Sequence, residues 1–64
     1  MDTPQHPSLL SVSVKDAAAM TSFSEYEIRD ALNRGEMPTI RRGRRIAIDM
    51  DDLRAWLKAQ KHVA

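Results

Sequence analysis

Apolar residues recur at helical spacing in three segments of the chain, residues 14–20, 25–34 and 50–60. Within these segments they stand at i, i+3 or i+4, and in the third the stripe extends to i+7 and includes a tryptophan. A helix with one apolar face buries that face against its neighbours. The pattern therefore predicts three helices that share one core. The predicted core positions on these helices are Val14, Ala17, Ala18, Ile28, Ala31, Leu32, Met50, Leu53, Trp56 and Leu57.

Polar residues at the predicted helix ends agree with this spacing. Ser13, Ser24 and Asp49 stand where an N-cap is required, and Glu27 completes a capping box with Ser24. Gly35 follows the second helix and can adopt the left-handed conformation that ends it. Because only a few residues separate the first two helices, the chain contains a helix, a tight turn and a second helix.

A short β-hairpin is predicted between the second and third helices. Residues 39–41 and 44–48 form its strands and flank Arg42-Gly43, where glycine can supply the positive φ of a tight turn. Ile46 and Ile48 share one face of the returning strand, which would anchor the hairpin to the core. The expected fold class is α+β: a small winged helix-turn-helix with three helices and a two-stranded hairpin as the wing.

The chain is expected to form one domain at residues 11–61, with a flexible arm at residues 1–10 and a short tail at residues 62–64. A chain of 64 residues buries only about 60% of its unfolded surface, which is too little for two domains. It has no cysteine, no apolar run long enough to span a membrane and no signal-peptide pattern. These features predict a soluble protein of the cytoplasm.

Basic residues are concentrated at the predicted hairpin, although the net charge is only +1. Guanidinium groups crowded around a glycine turn repel one another unless an anion lies among them, and their planar donors fit phosphate. A narrow hairpin tip can also enter a DNA minor groove. The alternative is that these charges only protect the strand edge from aggregation. The clustered residues are Arg41, Arg42, Arg44 and Arg45.

The second helix has a polar outward face of mixed sign. Arginine and asparagine suit guanine and adenine edges or phosphates, tyrosine can stack or donate to phosphate, and a carboxylate can accept from cytosine N4. A solvated helix with a Glu25–Arg29 ion pair would carry a similar pattern. The residues of this face are Tyr26, Glu27, Arg29, Asp30 and Asn33.

No group of residues has the spacing of a catalytic or metal site. His6 and His62 lie in opposite tails without a companion ligand. The three aspartates at positions 49, 51 and 52 lack the loop spacing of calcium ligands, and helix capping explains them. We therefore expect no enzyme activity, no catalytic residue, no metal and no cofactor.

The order of these signals along the chain carries a family resemblance. The matching residues are Ser13-Val14-Lys15-Asp16-Ala17-Ala18, Phe23-Ser24 with Ile28 and Leu32, Gly35-Glu36-Met37-Pro38, Arg42-Gly43-Arg44-Arg45-Ile46, and Asp52-Leu53 with Trp56-Leu57. In these residues the chain resembles the excisionase branch of the MerR-like winged helix-turn-helix proteins. It looks most similar to the small excisionases, or recombination directionality factors, of actinobacterial temperate phages.

The resemblance implies that the second helix lies in the DNA major groove and that the wing, through Arg44, reaches the adjacent minor groove. Proteins of this branch bind direct repeats side by side with head-to-tail self-association and bend the DNA. They help a tyrosine integrase to excise the prophage in the bacterial host cell, and they disfavour integration. The DNA-binding residues implied here are Ser24, Tyr26, Glu27, Arg29, Asp30, Asn33, Arg41, Arg42, Arg44 and Arg45.

Two other functions fit the same residues. A small MerR-like or AlpA-like transcription regulator would share every DNA contact with an excisionase. A protein-interaction adaptor, such as an antitoxin-like module, would instead place the arginine wing on an acidic protein. The third helix is followed by no long dimerisation helix and no effector domain, so we expect no small-molecule ligand.

Overall fold

The computed structural model describes residues 10–62, which form three helices and one three-stranded antiparallel sheet. The elements are β1 (Ser11–Val12), α1 (Val14–Thr21), α2 (Glu25–Asn33), β2 (Ile40–Arg42), β3 (Arg45–Asp49) and α3 (Met50–Ala59). This architecture confirms the predicted winged helix-turn-helix class. Two parts of the sequence lie outside the described residues: residues 1–9 of the predicted arm, which include His6, and residues 63–64 of the predicted tail.

The sheet has one more strand than the predicted two-stranded wing. Its order is β1-β3-β2, because Ser11 pairs with Asp49 and Val12 with Ile48. The Leu10 carbonyl extends this pairing by accepting a hydrogen bond of 2.9 Å from the backbone N–H of α3's first residue. A strand of two residues is too short to show an alternating pattern, and its partner is remote in sequence, so the sequence pattern does not predict it.

The helix boundaries follow the predicted caps closely. The Ser13 hydroxyl accepts from the backbone N–H of Asp16 at 3.1 Å. The Asp49 carboxylate accepts from the backbone N–H groups of Asp51 and Asp52 at 3.0 and 3.1 Å. Each helix ends within one residue of its predicted end. These helix starts are therefore determined locally, by side chains that satisfy otherwise unpaired N–H groups.

The core takes residues from every element except β2. Leu57 was predicted to belong to it but is 36% exposed, because it stands in the last turn of α3, at the end of the helix. Val12 and Met37 are buried although neither was predicted on the core, since both lie outside the periodic helical segments. The buried residues are Val12, Val14, Ala17, Ala18, Ile28, Ala31, Met37, Ile48, Leu53 and Trp56.

Trp56 connects α3 to both ends of α2. Its ring meets the ring of Phe23, just before α2, in a T-shaped contact with centroids 5.2 Å apart. Its indole N–H donates a hydrogen bond of 2.8 Å to the carboxylate of Glu36, just after α2. Aromatic pairs of this geometry and buried indole N–H bonds both stabilise a fold. The orientation of α2 is thus fixed from the α3 side.

Candidate nucleic-acid interface

The turn between α1 and α2 contains a residue in an uncommon backbone conformation. Ser22 caps α1 with φ of 68° and donates its N–H to the Ala18 carbonyl at 2.9 Å. Among residues 10–62 it is the one non-glycine residue with positive φ. A left-handed residue ends a helix and turns the chain away from the helix axis, so α1 stops at this position and the chain turns toward α2.

The start of α2 is fixed by the predicted capping box. The Ser24 hydroxyl accepts from the Glu27 N–H at 3.1 Å, and the Glu27 carboxylate accepts from the Ser24 N–H at 2.9 Å. Both residues were predicted DNA contacts. Their side chains are exposed, but each is already engaged within the protein.

The end of α2 directs the chain toward the wing. The Gly35 N–H donates to the Leu32 carbonyl at 3.1 Å and the Glu36 N–H to the Ala31 carbonyl at 2.9 Å. With φ of 75° at Gly35, this is a Schellman motif, and the predicted left-handed glycine is confirmed. The motif also places Glu36 where its carboxylate reaches Trp56.

The polar residues of α2 divide between two flanks of the helix. Tyr26, Arg29 and Asn33 are exposed and lie in one stripe at i, i+3 and i+7. Asp30, at i+4 from Tyr26, borders this stripe on the side of Glu27 and pairs with Arg34, with 3.0 Å between Oδ2 and Nε. The ion pair seen along α2 is therefore this one, and the described residues contain no Glu25–Arg29 pair.

On its α3 side, α2 borders an acidic groove of about 160 Å³. Carboxylates of Glu27, Asp30 and Glu36 line it, beside Trp56 and other side chains. Arg34 pairs with two of these carboxylates, and the negative charge that remains repels phosphate oxygens. This flank therefore differs in charge from the arginine wing.

The wing turn lies one residue later than predicted. Arg42 pairs with Arg45 across the hairpin, so its two loop residues are Gly43 and Arg44, not Arg42 and Gly43. Gly43 has φ of 60°, whereas Arg44 has no positive φ. Positive φ at the first loop residue alone is the pattern of a type II′ turn, which requires glycine in that first position.

This register separates arginines that are neighbours in sequence. Arg41 lies opposite Ile46, on the sheet face that also carries the buried Ile48, whereas Arg42 and Arg45 lie opposite each other on the outer face. Arg44 stands in the loop. All four arginines are exposed, and no ion pair between residues 10–62 involves them.

A small cleft lies where α2 meets the base of the wing; we call it the α2–wing cleft. It holds about 80 Å³. The stripe and the wing thus meet on one side of the molecule. Its lining residues are Arg29, Leu32, Asn33, Thr39, Arg41 and Ile46.

No group of three or more His, Asp or Glu side chains among residues 10–62 could hold a metal ion. No helix within these residues is long and apolar enough to cross a membrane.

Comparison with protein families identifies the fold's relatives. Residues 11–61 match the model of the helix-turn-helix domain family. The chain belongs to this family. This helix-turn-helix family includes excisionase-like small DNA-binding proteins, so the resemblance is confirmed at the level of the family and not of its branch. Comparison with curated proteins and with solved structures gave no match.

Family membership gives the domain its general activity. A helix-turn-helix domain binds double-stranded DNA in a sequence-specific manner, and this chain has the required helix pair and wing. In such domains the second helix of the pair reads base edges, whereas phosphate contacts set its position on the duplex.

Proposed function

We propose that this helix-turn-helix protein is an excisionase that binds repeated sites cooperatively and bends the DNA. It promotes excision by a tyrosine integrase and disfavours integration. The observation that carries the proposal is the exposed α2 stripe beside an arginine wing, joined by the α2–wing cleft. Two DNA-reading elements on one side of a small domain suit a protein that shapes a nucleoprotein complex.

In the proposed complex, α2 lies in the major groove and presents Tyr26, Arg29 and Asn33. Arg44, at the tip of the wing, enters the adjacent minor groove, whose negative potential attracts a guanidinium group. Arg42 and Arg45, on the outer face of the wing, contact flanking phosphates. The exposure of these side chains supports this arrangement.

Ser24, Glu27 and Asp30 have a secondary part in the proposal. Ser24 and Glu27 hold the first turn of α2 through their capping box, and Asp30 pairs with Arg34. A polar group that is already bonded within the protein gains less from DNA than an unbonded one. We therefore place these three residues at the rim of the DNA contact.

The size of the domain favours cooperative binding. A single module of this kind buries roughly 600–1,000 Å² on DNA and contacts about four to six phosphates. One copy alone therefore binds weakly, and contacts between neighbours on tandem sites raise occupancy. A head-to-tail contact that does not close on itself produces a short helical array, which curves the duplex.

The first experiment measures DNA binding on the attachment-site DNA of the source element. Mobility-shift titrations compare tandem sites with one isolated site, and cooperativity on the tandem sites is expected. The salt dependence should give a log–log slope of about −4 to −5. Equal affinity per site would remove the cooperative array, and an absence of salt-sensitive binding would favour the adaptor function.

The second experiment is integrase-dependent excision in vitro. Added protein is expected to stimulate excision and to reduce integration. Arg44→Ala is the control, since Arg44 is exposed in the hairpin loop and its removal should weaken DNA binding without disturbing the fold. Normal DNA binding without any stimulation of excision would favour a transcription regulator of the same fold.

A further inference from the structure

We infer that the α2–wing cleft binds one phosphodiester group of the DNA backbone, with Arg41 and Thr39 as wing-side ligands. This inference rests on the proposed docking of α2 and the wing on DNA. It gives Arg41 a role separate from that of the arginines at the wing tip and outer face. It also adds Thr39, which the sequence did not indicate as a DNA contact.

The lining of the cleft has the chemistry that a phosphodiester requires. Arg29 and Asn33 come from α2, and Thr39 and Arg41 from the base of the wing. These side chains supply guanidinium, amide and hydroxyl donors, whereas a phosphodiester offers only acceptor oxygens. No carboxylate lines the cleft. Its volume of about 80 Å³ limits the occupant to a small group.

The two arginines of the cleft are not engaged in ion pairs with other described residues. Arg34 pairs with Asp30 and Glu36, and Arg54 pairs with Asp51. No such pair between residues 10–62 involves Arg29 or Arg41. Two like charges that line one cleft repel each other, and an anion between them relieves this repulsion.

The register of the hairpin decides which arginine lines the cleft. Arg41 lies opposite Ile46, which is itself a lining residue, whereas Arg42 and Arg45 lie on the opposite face. The tip residue Arg44 is not among the lining residues. One wing arginine therefore faces α2.

The position of the cleft matches the path of a DNA strand. When a helix occupies a major groove and a wing the adjacent minor groove, the sugar-phosphate backbone between these grooves crosses the junction of the two elements. In this protein the junction is the α2–wing cleft. A phosphate held there fixes the register of both elements on the duplex, as backbone contacts do in general.

The test removes single phosphate charges and single protein groups in combination. The probe is a duplex selected from a random-sequence library by the wild-type protein, with one methylphosphonate linkage moved stepwise along each strand. Affinity is measured by fluorescence anisotropy for the wild type and for the variants Arg41→Gln, Thr39→Val and Arg44→Gln. Arg54→Gln is the matched control, since it removes the same charge from α3, away from the cleft.

For the wild type, replacing one phosphate between the two grooves by a neutral methylphosphonate is expected to lower the affinity roughly tenfold. This cost is the effect of losing a charge-assisted hydrogen bond. In Arg41→Gln this cost becomes smaller, because Arg29 is then the one remaining charged residue that lines the cleft. Binding to the unmodified duplex falls roughly tenfold, and the salt slope decreases by about 1. Thr39→Val reduces the cost at the same linkage. Arg54→Gln leaves the cost unchanged, and thermal melts verify that each variant is folded.

Failure of this inference can be told apart from failure of the proposed function. If the wild type binds the duplex but Arg41→Gln keeps the full methylphosphonate cost at every linkage, the cleft does not hold a phosphate. If that cost couples to Arg44→Gln instead, the phosphate lies at the wing tip. If the wild type shows no salt-sensitive affinity for any selected duplex, the DNA-binding proposal itself is wrong.

Discussion

The two flanks of α2 carry polar residues in similar density but use them differently. On the wing side, Arg29 and Asn33 are exposed and line a cleft without carboxylates. On the α3 side, Glu27 bonds to the Ser24 N–H and Asp30 to Arg34. Polarity alone therefore does not mark a binding face. A side chain whose hydrogen-bonding groups are already satisfied stabilises the fold, and one that is not satisfied is available to a ligand.

The difference in charge between the two flanks allows a chain with a net charge of only +1 to bind a polyanion in one orientation. Arginines gather around the wing, whereas Glu27, Asp30 and Glu36 line the groove on the other side of α2. Opposite charges on two sides of a small domain orient it as it approaches DNA. The charge distribution therefore contributes to docking more than the total charge does.

The substitution with the greatest predicted consequence removes the contacts between α3 and the two ends of α2. Trp56→Ala removes a ring that is 7% exposed and that contacts Phe23 and bonds to Glu36. We expect the free energy of unfolding to fall by about 3–5 kcal/mol, enough to unfold much of a domain of this size. Denaturation followed by circular dichroism measures it. A loss below about 1 kcal/mol would mean that α2 is held by other contacts.

The next largest effect is a loss of DNA affinity on the wing side of the molecule while the fold stays intact. Arg29→Ala and Arg44→Ala should each reduce DNA-binding free energy by about 1–3 kcal/mol, because each removes a charged contact to DNA. Both side chains are exposed, so the melting temperature should not change. Anisotropy titrations and thermal melts of the same samples measure the two quantities. A large drop in melting temperature would show that the substituted arginine has a structural role.

A smaller effect is expected at a carboxylate that is already hydrogen-bonded within the protein. Glu27→Ala removes half of the capping box and should lower the free energy of unfolding by about 1 kcal/mol. DNA affinity of the folded protein should not fall, since the carboxylate is engaged by the Ser24 N–H. Glu25→Ala is the control, because it removes the same charge from the same turn without touching the box. Weaker DNA binding in Glu27→Ala alone would return Glu27 to the DNA contacts.

The smallest effect concerns charge within the wing itself. Arg42 and Arg45 lie directly opposite each other across the hairpin, and like charges in such pairs are destabilising. Arg42→Thr should therefore raise the free energy of unfolding by about 0.2–1 kcal/mol while it weakens DNA binding. Arg44→Thr, in the loop, should weaken binding without the gain in stability. Equal stability in these two variants would mean that the cross-strand repulsion is negligible.

Local sequence signals predicted most of the fold. The predictions of the three helices, their N-caps, the capping box and the glycine after α2 are confirmed. Each of these features depends on residues that are at most four positions apart. Strand β1 was missed as a strand because its partner is remote in sequence. The hairpin register was displaced by one residue because glycine is suitable at either loop position in different turn types.

The candidate site was predictable in residue type but not in arrangement. Helical periodicity gives the angle of each residue around α2, but which flank meets α3 and which meets the wing depends on tertiary packing. For this reason Glu27 and Asp30 were grouped with Arg29 in one predicted face. The Glu36–Trp56 hydrogen bond joins residues far apart in sequence, and no local pattern indicates it. A one-residue difference in register likewise determined which arginine faces the cleft.

The indole of Trp56 also provides a built-in spectroscopic reporter. It is the single tryptophan of the chain, it is buried, and it lies at the seam between α2 and α3 and not in the α2–wing cleft. Its intrinsic fluorescence emission should therefore shift when α2 and α3 separate on unfolding, and it should stay nearly constant when a labelled duplex binds. One cuvette can then report conformational integrity in one optical channel and complex formation in another.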